Sequence, residues 1–133
     1  MSLLKSVKQY FSKYCETQEN HSDELLRTHY YKTTKSNAMS VIQTVISRLP
    51  GYKITSVSTD HGEMSVQLTA PKKAFIIITV VSVRPLETAV DFTITYEGII
   101  NLGYTRQIAG ELYRVLNKEL VHIGNGITNA DKM

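Results

Sequence analysis

Residues 74–83 read Ala-Phe-Ile-Ile-Ile-Thr-Val-Val-Ser-Val, and the way this run is set among its neighbours decides the fold. It is far shorter than the roughly 20 residues that span a bilayer as a helix, and its β-branched residues favour an extended strand. Unlike a half-exposed strand, it is apolar at odd and even positions alike, which suits a central strand. Lys72-Lys73 precedes it, and Pro85-Leu86-Glu87 follows it. Three further strand-like runs, 52–59, 63–70 and 89–96, flank it, with a turn signal at His61-Gly62 between the first two.

A two-residue turn fixes which residues face each other, and side chains alternate between faces. With turns at Lys72-Lys73 and Leu86-Glu87, Leu68 opposes Ile77, Met64 opposes Val81, Val81 opposes Phe92 and Ile77 opposes Tyr96. A turn at His61-Gly62 sets Val57 opposite Val66. One sheet face then collects Val57, Met64, Val66, Leu68, Phe75, Ile77, Val81, Val83, Val90, Phe92, Ile94 and Tyr96, and the helices are expected to pack there. The other face carries Ser65, Gln67, Thr69, Ser82, Asp91, Thr93, Thr95 and Glu97, interrupted by an apolar stripe of Ile76, Ile78 and Val80. Burying each such side chain is worth about 1.5–3 kcal/mol, so a stripe of three predicts a cover. Two covers suggest themselves: a second copy of the chain pairing through this face, or the N-terminal segment folding over it.

That segment reads as an amphipathic helix over residues 1–15, with Leu3, Val7, Tyr10, Phe11 and Tyr14 at three- and four-residue spacing. Lys5, Lys8 and Lys13 make it basic, so peripheral membrane contact through residues 1–14 is a further use for it. Residues 16–25 form a polar, acidic connector, and a single domain is expected over 26–123 with a mobile tail at 124–133. Within the domain, a short aromatic strand covers 28–32. Thr33, Thr34 and Ser36 offer helix N-caps, and a stripe of Ala38, Val41, Ile42, Val45 and Leu49 ends at Pro50-Gly51. A second helix is predicted from Tyr104 to Ile123 on Ile108, Leu112, Val115, Leu116 and Ile123.

The chain has 133 residues, 42% of them hydrophobic and 20% charged, the balance of one globular domain. Its one cysteine, Cys15, excludes an internal disulfide, and no signal leader or transmembrane segment is legible, so a reducing, cytoplasmic setting is expected. A net charge of +3 permits nucleic-acid binding, but the predicted open face has threonines and isoleucines where base stacking needs aromatic platforms, which disfavours it.

The chemistry-bearing residues do not form a motif. His21, His29, His61 and His122 are scattered, and Cys15 with His21 makes C-x5-H without the second pair that zinc requires, so no metal site is expected. No G-x-C or C-x-x-C context marks Cys15 as a nucleophile. Glu63 falls on a different strand from Asp91 and Glu97, of which the latter two face the expected polar side as surface carboxylates, and Gly98-Ile99-Ile100-Asn101-Leu102-Gly103 lacks the lysine of a phosphate loop. No catalytic residue and no cofactor is expected, and the chain reads as a non-enzyme.

The order β-α-β-β-β-β-α predicts an α+β domain in which one curved antiparallel sheet carries two helices on one face. This arrangement resembles the TATA-box-binding and helix-grip class of folds, an architectural likeness only. The stretches SLLKSVKQYFSKYCETQENHSD, PKKAFIIITVVSVRP and TAVDFTITYEG are similar to those of a family of small uncharacterised cytosolic proteins from Bacillus-type bacteria. The likeness spans most of residues 1–123 and implies a cytoplasmic origin and no particular activity. The functional expectation is a self-association or protein-interaction module, a homodimer or the partner of another protein, that uses Ile76, Ile78 and Val80 or the N-terminal helix. The alternative is a carrier of a small apolar ligand lined by Phe75, Ile77, Phe92 and Ile94.

Overall fold

The computed structural model describes residues 14–19, 21, 23–70, 72–96, 98 and 103–125. Strand β1 (Tyr14–Glu16) and a 3-10 turn (Glu24–Leu26) precede β2 (His29–Tyr31) and helix α1 (Lys35–Arg48). Strands β3 (Tyr52–Ser58), β4 (Glu63–Leu68), β5 (Ala74–Arg84) and β6 (Glu87–Tyr96) follow, then helix α2 (Tyr104–Glu119) and strand β7 (His122–Asn125). The fold is α+β. Its open antiparallel sheet runs β3-β4-β5-β6-β2-β7, with β1 sharing the outer edge of β6 with β2. The expected strand-helix-meander-helix order is present, joined by two short strands, β1 and β7.

The helices begin and end for local reasons. Thr34 is the N-cap of α1, its hydroxyl accepting from the Asn37 amide at 3.1 Å. The helix stops just before Pro50-Gly51. Ala38, Met39, Ile42, Val45 and Ile46 of α1 and Ile108, Ala109, Leu112, Tyr113 and Leu116 of α2 are buried. Both helices therefore turn an apolar stripe toward one sheet face and close a single core over it.

The sheet face inside that core departs from the expectation at β5. Leu68 faces Ala74, not Ile77, because the β4–β5 connection takes five residues, 69–73, instead of two. Phe92 faces Ile78, not Val81, because the β5–β6 turn is Pro85-Leu86 and a bulge follows Ser82. In both pairs the register is displaced by three residues, an odd number, so every side chain of β5 changes face while β4 and β6 keep theirs. Ile76, Ile78 and Val80 are consequently buried under the helices beside Met64, Val66, Leu68, Val90, Phe92 and Ile94. Phe75 and Ile77 lie half-buried on the outer face, and Val81 and Val83 are exposed.

Smaller departures have equally local causes. Val57 pairs with Met64, not Val66, because the β3–β4 turn takes four residues, 59–62, instead of two, and a bulge at Thr55 then sets Ile54 opposite Val66. Tyr14 belongs to a strand paired with Thr95, so the helix expected over 1–15 does not extend to it; the rest of that prediction, residues 1–13, lies outside the described residues. The expected connector contributes the end of β1 and the 3-10 turn, which places Leu26 in the core. Helix α2 ends at Glu119, and residues 122–125, expected as helix end and tail, pair with β2 as β7.

Candidate functional site

Three features could carry function: a polar network beneath β2, an apolar rim at one end of the sheet, and a cleft at the other end.

The network starts where β1 and β2 meet end to end along β6. Thr17 closes the gap in the ladder, its amide donating to the Phe92 carbonyl at 2.9 Å and its hydroxyl accepting from the Phe92 amide at 2.8 Å. The Thr17 and Thr28 hydroxyls both donate to Asp91 Oδ1, at 2.7 and 2.6 Å. Burial outweighs these two bonds and pushes the Asp91 carboxyl above its ordinary range. On the helix side, the Tyr113 hydroxyl donates to the Val90 carbonyl at 2.6 Å, and burial keeps that phenol neutral.

The His29 ring stacks on Tyr113, with centroids 3.6 Å apart, and on His122 at 4.5 Å. Its Nδ1 lies 3.2 Å from Asn117 Oδ1, which also accepts from the Tyr31 hydroxyl at 2.6 Å. Burial lowers the His29 pKa to about 4 against the Asn117 bond, so the ring is neutral at physiological pH. Every one of these groups is matched to a protein partner. A neutral, stacked imidazole and a carboxylate held by two threonine hydroxyls fasten β1 and β2 to β6 and α2. That role accounts for His29 and Asp91 without a reaction. Among the described residues, no group of three or more His, Cys, Asp or Glu side chains could hold a metal ion.

The apolar rim is assembled from segments distant in sequence. Antiparallel order puts the end of β3, the β3–β4 turn, the β5–β6 turn, the end of β2 and the start of β7 at one end of the sheet. All the exposed large hydrophobic residues among those described lie there: Val57, Val81, Val83, Leu86, Val121 and Ile123. Val121 and Leu86 are the most open, at 64% and 55%. β5 outruns β4, whose pairing with it stops at Thr79, so Val81 and Val83 project beyond it on the β5–β6 hairpin. Val83 and Ile123 are the extra residues of two bulges, positions that leave the ladder and turn the side chain outward. At the hairpin tip Leu86 has φ +58°, a left-handed conformation that glycine adopts freely and leucine adopts at a cost of about 1–2 kcal/mol.

The sequence-derived candidates are redistributed by this geometry. Ile76, Ile78 and Val80 do not form an outer interaction face, being core residues. Phe75 and Ile77 lie on the opposite side of the sheet from Phe92 and Ile94, so the four cannot line one ligand site. Leu3, Val7, Tyr10 and Phe11 lie outside the described residues. The rim residues Val83, Leu86 and Val121 were not singled out as contacts; a leucine after Pro85, where a turn favours glycine, was the one signal available. No helix among the described residues is long and apolar enough to cross a membrane.

The cleft, of about 230 Å³, opens where the α1–β3 turn, the end of β4 and the first turns of α2 meet. Tyr52 and Leu68 line it from the sheet, Tyr104, Gln107, Ile108 and Glu111 from α2. No family model matches the chain, and no curated protein sequence matches it.

Proposed function

We propose that this chain is a cytoplasmic, non-enzymatic protein-interaction module that pairs with a second copy of itself through the apolar rim. The supporting observation is the convergence of Val81, Val83, Leu86, Val121 and Ile123 from β5, the β5–β6 turn and β7 onto one end of the sheet. Elsewhere the described surface leaves no large apolar side chain exposed, so the distribution is not a general leakiness of the core. Leu86 adds to this: at a turn position where glycine would remove both strain and exposed apolar surface, the chain carries leucine. A two-fold pairing would set each rim against its own copy and shield these side chains from water, each worth about 1.5–3 kcal/mol when fully buried.

Sedimentation velocity of the full chain at micromolar concentration tests the reading. A concentration-dependent dimer is expected, with Val81→Lys and Leu86→Lys together weakening it at least tenfold and leaving the unfolding midpoint of the monomer nearly unchanged. A chain that sediments as a monomer at every concentration defeats the self-association reading.

A further inference from the structure

The cleft at the other end of the sheet has the features of a small-molecule site, and its walls are held in place before any ligand arrives. The Tyr104 hydroxyl donates to the Lys72 carbonyl at 2.9 Å and accepts from the Lys72 amide at 3.3 Å. Its ring meets Tyr96 edge-on, with centroids 5.3 Å apart at 71°, and the Lys72 ammonium lies 5.6 Å from its centroid. On the facing side, Gly51 has φ +85° and approaches β4 so closely that a Cβ there would stand 2.8 Å from the Ala70 carbonyl oxygen. The Thr69 amide and hydroxyl both donate to the Gly51 carbonyl, at 2.8 and 3.1 Å, which clamps the turn carrying Tyr52 to the end of β4. A site whose walls are already ordered loses little conformational entropy on binding.

The lining sorts into an apolar base and two phenol walls with a polar rim. Leu68 and Ile108 are almost fully buried and supply the base. Burial, with Tyr104 and the Glu111 carboxylate nearby, pushes the Tyr52 phenol up to about 12, so it stays a neutral donor. Glu111 is engaged by Arg114 through two bonds, Nη2 to Oε1 at 2.5 Å and Nε to Oε2 at 3.2 Å, so its charge is already matched. Gln107, exposed at the rim, adds an amide that can both donate and accept. Two tyrosine rings over an aliphatic base favour the faces of a flat ring; the Lys72 ammonium lies against the Tyr104 ring and is not among the lining residues, whose own polar groups are neutral apart from the paired Glu111 carboxylate and so favour an uncharged one.

We infer that this cleft binds a small, uncharged, planar aromatic molecule, its ring against Tyr52 and Tyr104 and its polar edge toward the Gln107 amide. The site lies at the end of the sheet opposite the apolar rim, so it stands or falls separately from self-association.

Titration of the isotope-labelled full chain with indole, followed by amide NMR, tests the inference. Saturable shifts confined to Gly51, Tyr52, Thr69, Gln107 and Ile108 are expected, with benzoate, an anion of similar size, binding at least tenfold more weakly. Ala70 is exposed beside the cleft, so Ala70→Trp should fill it and abolish the indole shifts while the rest of the spectrum is preserved. Gln107→Ala, a change on the exposed face of α2, should weaken indole several-fold without loss of fold. The inference is overturned by shifts that are absent at millimolar indole, by shifts scattered over the surface, by equal binding of benzoate, or by indole binding unaltered in both variants.

Discussion

Strand β5 contains two regions that behave differently although β-branched apolar residues run through both. From Ala74 to Val80 alternate side chains are fully buried, whereas from Val81 to Arg84 every residue is exposed. Val80 and Val81 are adjacent and chemically identical, yet one is buried and the other half exposed, so side-chain type alone does not separate the two stretches. What separates them is cover: the first stretch has β4 and β6 on its two sides and the helices over one face, while the second outruns β4 and projects with β6 as a hairpin. The same residue type is therefore core in one place and exposed surface a few residues later, and substitutions should show it.

The largest expected difference is between Ile78 and Val81. Ile78→Ala removes a fully buried side chain and is expected to destabilise the monomer by about 2–5 kcal/mol in urea unfolding, with the self-association surface intact. Val81 is 50% exposed, so its replacement should leave monomer stability within about 0.5 kcal/mol. Equal costs at the two positions would break the distinction between covered and uncovered strand.

The covered region should also carry an acid sensitivity that the rim lacks. The pKa of His29 is lowered in the folded state, from 6.5 to about 4, because burial disfavours its charged form. Between those values the unfolded chain binds a proton that the folded chain does not. Stability should therefore fall as pH drops from 6.5 toward 4, by about 1.4 kcal/mol per unit, or roughly 3 kcal/mol in all, and level off below. Asp91 works in the opposite direction: its raised pKa means that the folded state holds its proton more tightly, so stability falls as pH rises from the ordinary value of 3.8 to that raised pKa, and acid returns it. Denaturation at a series of pH values isolates the histidine part as the difference between the parent and His29→Phe. A difference that does not change across the window would remove His29 as the cause.

The smallest effect sharpens the account of the rim. Leu86→Gly relieves a left-handed leucine and should raise monomer stability by about 1 kcal/mol while weakening the dimer several-fold. A variant that gains stability and keeps its dimer would place the contact on other residues.

Much of the secondary structure was legible from local chemistry. Thr34 and Pro50-Gly51 mark the two ends of α1, and the stripe from Ile108 to Leu116 marks the buried side of α2. Met64, Val66 and Leu68, like Phe92 and Ile94, alternate with polar residues, so the core faces of β4 and β6 could be assigned from pattern alone. β1 and β7 were not legible, because three or four residues such as Tyr14–Glu16 or His122–Asn125 carry no period and become strands by pairing with edges built elsewhere. Of the candidate sites, only the turn at Pro85-Leu86-Glu87 was read before the fold was known, and it was read as a turn and not as a contact. The rim and the cleft each draw on segments dozens of residues apart.

By itself, then, the sequence determined an α+β class, two amphipathic helices, a four-stranded meander and, with one cysteine, no disulfide within these residues. Only the tertiary structure decided which side of β5 is the inside. A strand apolar on both faces satisfies either orientation locally, and the choice passes to its ends: a five-residue connection before it, and the Pro85-Leu86 turn together with the bulge that follows Ser82, shift both registers by an odd number. That shift takes Ile76, Ile78 and Val80 under the helices and sends Val81 outward, making the projecting hairpin, and not the centre of the sheet, the apolar surface that meets water.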